Sequence, residues 1–210
     1  MTPHPSRPSR PLCSRCGLPL RTCLCPWIRP TANPLPVLIL QHPEEAAQAK
    51  GSARLLRLSL LHSRCEVAEA FEPDTLAKWL LESPGFGPVR SVLLYPTTPA
   101  PLPPALSPAV SPAPAGHKAP SPQLVLLDGT WRQSRQLLQR HPALQALPRL
   151  PWLAPPPSRY GVRKAQRPAQ RSTLEAACWA LAALDPEVER YAALLQAFDG
   201  WVAQGLERRQ

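Results

Sequence analysis

Proline sets the outer limits on how this chain can fold. There are 31 prolines in 210 residues, well above a usual share of about one in twenty. Each lacks the amide N–H that a helix interior or a central strand requires, so regular structure is confined to the windows between them. Nine fall in residues 97–123 alone, among alanines, serines and a single charged side chain. That composition cannot bury enough surface to fold by itself and reads as a flexible or polyproline-type insertion.

The windows that remain alternate between two patterns. Pro36–Leu40 (PVLIL), Ser91–Pro96 (SVLLYP) and Gln123–Leu127 (QLVLL) are short apolar runs expected to be buried strands, and Arg64–Phe71 alternates as a half-buried strand does. Helical composition fills Glu44–His62. A helix capped by Asp74 is expected through Leu81, and another runs from Trp131 to a stop before Pro142. A helix capped by Ser172 or Thr173 is broken at Asp185–Pro186, and a last amphipathic helix reaches about Leu206. Leu147–Pro157 is a proline-rich loop, and the stretch from there to Ser172 looks irregular and basic. Strand–helix alternation predicts an α/β domain with a mostly parallel sheet and helices on both faces.

The length suits one catalytic domain over 36–210, with a small cysteine-rich module over 1–35 and the insertion at 97–123. No apolar run is long enough to span a bilayer, and the N-terminus lacks the apolar centre of a signal peptide. A cytoplasmic protein is the expectation, with no membrane and no obligate protein partner.

The cysteines explain how the N-terminal module could hold together. Cys13-x-x-Cys16 and Cys23-x-Cys25 fall within thirteen residues, in a segment poor in apolar side chains. Two thiolates from each pair can complete a tetrahedron around zinc, with Gly17 and Pro19 allowing the turns between them. A reducing compartment disfavours disulfides, and an iron–sulfur cluster is the alternative metal reading. Cys65 and Cys178 lie in apolar segments and read as core residues.

Charge placement points to a polyanion. The net charge is +10, and it is concentrated in two acid-free stretches. Residues 1–36 carry five arginines; residues 131–171 carry Arg132, Arg135, Arg140, Arg149, Arg159, Arg163, Lys164, Arg167 and Arg171. A merely solvated surface mixes signs, so nucleic acid is favoured. No recognition helix presents base-reading side chains to DNA.

In a parallel sheet, ligands sit beyond the carboxyl ends of the strands. Those ends carry Gln41-His42-Pro43-Glu44, Tyr95-Pro96 and Asp128-Gly129-Thr130-Trp131. Gly129 permits a sharp turn, Thr130 can cap the next helix, and Trp131 offers a flat face for stacking. An ordinary strand–turn–helix, with Asp128 in the turn and Trp131 in the core, would show the same spacing.

The order of these pieces resembles the DTW-domain family, named for an Asp-x-Thr-Trp motif matched by Asp128, Thr130 and Trp131. The cysteine pairs, Gln41-His42-Pro43-x-Glu45, Leu94-Tyr95-Pro96, Ser158-x-Tyr160-x-x-Arg163-Lys164 and Ser172-Thr173-x-Glu175-Ala176 resemble the family's other landmarks, over most of residues 13–176. The proline-rich insertion departs from the pattern but lies between landmarks. The resemblance implies a tRNA-uridine aminocarboxypropyltransferase with a SPOUT-like fold, its C-terminal part threaded as a trefoil knot. S-adenosylmethionine is the implied donor, and structural zinc the implied metal.

On that basis Asp128, Thr130 and Trp131 are the expected catalytic residues. Asp128 would accept or orient a uridine N3 proton, and Thr130 would orient Asp128 or donate to the ligand. The donor pocket is expected to draw on Gln41, His42, Leu94, Tyr95, Pro96, Leu127, Gly129, Tyr160, Arg163, Ser172, Thr173 and Glu175. A capping box is the alternative for Ser172 and Glu175. Arg132, Arg135, Arg159, Lys164, Arg167 and Arg171 are the expected RNA contacts. A methyltransferase, a ribosomal-RNA modification enzyme and a non-catalytic zinc-stabilised RNA-binding protein are the alternatives.

Overall fold

Three of the proline-bounded apolar windows become neighbouring strands of one sheet. The structure, a computed structural model, describes residues 11–48, 50–96, 120–150 and 172–207. β1 (Val37–Gln41) is buried at every position. It lies between β2 (Ser63–Val67) and β5 (Ser121–Asp128), and β5 lies between β1 and β4 (Gly87–Leu94). Along the outer edge of β4, β3 (Glu82–Ser83) pairs with its start and β6 (Arg149–Leu150) with its end. Every pairing is parallel except β3 with β4.

The sheet accommodates a proline. Leu124 N donates to Pro36 O on the β1 side, and Pro122, two residues earlier, faces the same way. β1 begins pairing only opposite Leu124, so the N–H that Pro122 lacks has no partner to lose. β5 thus starts at Ser121, within the stretch expected to be insertion. The rest of that stretch, residues 97–119, lies outside the described residues.

Seven helices are seen among the described residues: α1 (Pro43–Ala46), α2 (Ser52–Ser59), α3 (Pro73–Leu81), α4 (Trp131–Arg140), α5 (Pro142–Gln145), α6 (Thr173–Leu184) and α7 (Ala192–Glu207). Alternation along the strands sorts them onto two faces. Val37, Ile39, Leu124 and Leu126 pack with Leu55 and Leu56 of α2, Leu174 and Leu181 of α6, and Phe198 of α7. Leu38, Leu40 and Val125 pack with Leu76 and Leu80 of α3, Leu137 of α4 and Leu144 of α5. This is the mostly parallel α/β sheet with helices on both faces that the alternation predicts. The expected knot turns on the path from Leu150 to Ser172, and residues 151–171 lie outside the described ones.

Three local expectations are corrected. The helical stretch from Glu44 to His62 is two helices, because Gly51 takes an extended conformation and caps α2. The cap of α3 is Glu72, whose carboxylate accepts from Thr75 N at 2.8 Å; Asp74 sits inside the first turn. β2 stops at Val67, and Phe71 turns into the core on the α3 side, where its N–H donates to His141 Nε2 at 3.1 Å.

The cysteine-rich segment docks on the first of these cores. Its 3-10 turns, Leu20–Thr22 and Cys25–Trp27, carry Leu24 inward, and Cys16, Leu18 and Ile28 join the same cluster as α6 and α7. Trp27 lies flat against Gly200 of α7, so close that an added methyl group would overlap its six-membered ring. No helix among the described residues is long and apolar enough to cross a membrane.

Gly200 is therefore a packing requirement. Gly-to-Ala in a helix ordinarily stabilises by up to about 1 kcal/mol. Here overpacking reverses the sign, and Gly200→Ala is expected to cost about 1–3 kcal/mol. Urea unfolding would show a lowered midpoint; a raised one would contradict the Trp27 contact.

Candidate functional site

The carboxyl ends of β1 and β5 meet in register, with Gln41 opposite Asp128. Both side chains point to the face that carries α6, since they continue the alternation of Ile39 and Leu126. Asp128 is only 4% exposed. A carboxylate buried there needs donors on its oxygens. Gln41 Nε2 donates to Oδ2 at 2.7 Å, and the Thr173 hydroxyl donates to Oδ1. Gln41 is itself oriented: its Oε1 accepts from the Cys65 thiol at 3.7 Å. Burial pushes that thiol up to about 11, which keeps the proton on sulfur.

The loop after β5 is held by close packing. A Cβ on Gly129 would lie 3.1 Å from Gln133 Cβ and 3.5 Å from His42 Cβ, so glycine answers a steric need here. Thr130 caps α4: its hydroxyl oxygen accepts from Gln133 N at 3.3 Å, while Gln133 Oε1 accepts from Thr130 N at 2.7 Å. Gln133 Nε2 then donates to Glu44 Oε2 at 2.6 Å, tying α4 to α1. His42 caps α1, its Nδ1 accepting from Glu44 N at 3.3 Å. A cleft of about 380 Å³ opens between these helices, lined by His42, Glu44, Glu69, Thr130, Arg132, Gln133, Gln136 and Arg140.

The expected residues thus separate. Gln41, Asp128 and Thr173 converge; the hydroxyl that meets Asp128 is Thr173's, while Thr130's oxygen serves its own helix. Ser172 and Glu175 form the capping box, Glu175 Oε2 accepting from both Ser172 N and Ser172 Oγ at 3.0 and 2.9 Å. Tyr95 and Trp131 meet edge to face with centroids 6.1 Å apart. Leu94 and Leu127 pack against opposite cores, and Pro96 O accepts from Arg149 at 3.3 Å. Arg132 and Arg135 border a shallow groove beside Trp131. Arg159, Tyr160, Arg163, Lys164, Arg167 and Arg171 lie outside the described residues.

The four cysteines gather as their spacing predicts. All four sulfurs lie within 4.8 Å of one another, with Cys13 Sγ 3.6 Å from Cys25 Sγ and Cys16 Sγ 3.7 Å from Cys23 Sγ. A tetrahedron with metal–sulfur bonds of about 2.3 Å has edges of about 3.8 Å, so the donor set fits such an ion. Gly17, at φ +71°, completes the first turn, and its N–H donates to Cys13 O at 2.8 Å. The thiols cannot all ionise unaided. The backbone N–H groups of Cys16 and Arg15 bring Cys13 down to about 6, whereas desolvation and the neighbouring sulfurs push Cys25 up to about 12. A divalent cation removes that conflict.

Several contacts carry no sequence signal. Thr130-x-x-Gln133 announces a capping box, but not the bond from Gln133 to Glu44, and nothing marks Cys65 as the partner of Gln41. Arg54 links the cysteine turn to α1 by donating to Cys16 O at 3.1 Å and Ala46 O at 2.6 Å. These are contacts between distant segments, visible only once the chain is folded.

Comparison with known proteins identifies the family. The DTW domain profile matches residues 10–206. The Drosophila melanogaster protein named tRNA-uridine aminocarboxypropyltransferase 2 is 30% identical over 185 residues, covering 84% of this chain and 68% of the fly protein. The Mus musculus and Macaca fascicularis proteins of that name are each 29% identical, and this chain spans 57% of their length. No solved structure gives a significant match.

Reconstitution with cobalt(II) tests the cysteine centre. The expected result is thiolate charge-transfer absorption with tetrahedral d–d bands, and a loss of about a hundredfold in metal affinity for Cys23→Ser. Absence of those bands would remove the metal centre.

Proposed function

Because the chain belongs to the DTW-domain family, we propose that it transfers the 3-amino-3-carboxypropyl group of S-adenosylmethionine to N3 of a tRNA uridine, releasing methylthioadenosine. The observation that carries this reading is the buried Asp128 carboxylate at the carboxyl edge of the sheet, held by Gln41 and Thr173. The relatives' names supply the substrate class. A SPOUT-like arrangement, structural zinc at Cys13, Cys16, Cys23 and Cys25, and an RNA surface of arginines complete the proposal.

The donor's sulfonium supplies the leaving group. Bond formation runs from uridine N3 to the γ-carbon of the methionine side chain, while the C–S bond breaks and its electron pair stays on sulfur. The enzyme's task is then positioning and removal of the N3 proton. Asp128 receives that proton. The hydrogen bonds from Gln41 and Thr173 help to fix its orientation. The donor lies along the strand ends, with Leu94, Tyr95 and Pro96 on one side, Gln41 and His42 on the other, and Leu127 and Gly129 between. Tyr160 and Arg163 complete the pocket, Arg163 suiting the donor's carboxylate. Arg132, Arg135, Arg159, Lys164, Arg167 and Arg171 meet phosphates. The target uridine leaves its stack, since N3 lies on the pairing edge.

The protein, unmodified bulk tRNA and S-adenosylmethionine are incubated, and nucleosides and small products are read by mass spectrometry. Aminocarboxypropyluridine with methylthioadenosine is expected. A methylated nucleoside with S-adenosylhomocysteine would keep the donor and overturn the reaction. Asp128→Asn is expected to lower turnover by about 10²–10⁴-fold. Thr173→Val, which removes one hydrogen bond to the charged group, is expected to lower it by about 10–100-fold.

A further inference from the structure

The Trp131 ring stands out at the site's edge. It is 52% exposed, although it begins α4 directly after the buried Asp128 turn. An aromatic side chain of that size in water forgoes the area that burial would gain. It is nevertheless held in place. Tyr95 meets it at an interplanar angle of 73°. Arg149 lies 5.1 Å over the Tyr95 ring and donates to Pro96 O, fixing the tyrosine from behind. β6 sets Arg149 there by pairing it opposite Leu93. Tyr95 therefore braces Trp131 in an edge-to-face contact while a guanidinium covers one face of the tyrosine ring.

The surroundings are cationic. Trp131, Arg132, Arg135 and Gln136 line a shallow groove of about 270 Å³, and α4 carries no acid. Neither Arg132 nor Arg135 has an ion-pair partner among the described residues. The donor's sulfonium is repelled by two unpaired arginines, whereas a nucleotide brings a π-face for the indole and a phosphate for each guanidinium group to meet.

From this we infer that Trp131 is a stacking platform for an unpaired base of the RNA substrate, braced by Tyr95 and Arg149, with Arg132 and Arg135 receiving the adjoining phosphates. The inference deepens the tRNA reading and rests on it for the substrate class. It takes Trp131 and the covered Tyr95 face away from the donor's adenine.

The test uses the full-length protein and a short RNA hairpin with unpaired uridines in its loop, with binding read by fluorescence anisotropy across salt concentrations. Donor affinity is read separately by calorimetry with S-adenosylmethionine. Trp131→Ala is expected to weaken RNA binding by about tenfold to a hundredfold, leaving the salt dependence and the donor affinity unchanged. Trp131→Phe should retain most of the affinity, which separates stacking from misfolding. Arg132→Ala and Arg135→Ala should each lower the salt slope by about one. An abasic nucleotide at the stacked loop position should reproduce the Trp131→Ala loss and add little to it.

Weakened donor binding with RNA affinity intact would place Trp131 in the donor pocket and overturn the inference. RNA affinity unchanged in Trp131→Ala would overturn it as well. Both outcomes are independent of the reaction: a wild-type protein that binds the hairpin through Trp131 but releases no methylthioadenosine refutes the proposed activity and leaves the platform standing.

Discussion

A carboxylate closed off from water has to be satisfied, and the bonds to Asp128 from Gln41 and Thr173 join three segments. β5 supplies the aspartate, β1 supplies Gln41, and the first turn of α6 supplies Thr173. Losing either donor would remove a hydrogen bond from the carboxylate at a cost of about 1–3 kcal/mol. The strand register and the seating of α6 are therefore coupled to this one side chain. A one-residue slip between β1 and β5 would turn Gln41 to the opposite face and strand the carboxylate.

Around that centre the other devices are local. Capping boxes at Thr130–Gln133 and Ser172–Glu175 fix where α4 and α6 begin. Gln133 adds a second duty by reaching Glu44. Arg54 carries order from the cysteine turn into α1. The cysteine cluster is thereby connected to the strand-end region through one guanidinium and two carbonyls, with the docking of Trp27 on α7 as a second anchor for the same segment.

Much of the architecture is written in short-range patterns. Val37–Leu40 and Leu124–Leu127 are apolar runs, and alternation within them decides which helices each face receives. The cysteine pairs announce their meeting through spacing alone, and the strand-end position of Asp128 follows from the run before it. What escapes such patterns is set at long range. β6 is two residues long and exists because the end of β4 offers an open edge. The break at Gly51 interrupts a stretch whose composition is helical throughout. Glu72 is the cap because Pro73 takes the first helical position, which leaves Asp74 inside the first turn. Thr173 stands in the sequence as a cap or a donor-pocket residue, and its bond to Asp128 is seen only once α6 is docked; Thr130 sits closer to Asp128 in sequence yet serves the helix.

The sequence distances inside the site also determine when it comes into being as the chain folds. Gln41 and Asp128 are 87 residues apart, and Thr173 lies 45 beyond Asp128, whereas each capping bond closes over three residues. Local turns and caps form ahead of contacts that must close large loops. Gln41 and Thr173 reach the carboxylate from distant parts of the chain, so its environment is assembled among the last events of folding. Any intermediate lacking docked α6 holds helices and strands but no organised strand-end site, which makes ligand protection at this edge a marker of the completed native state.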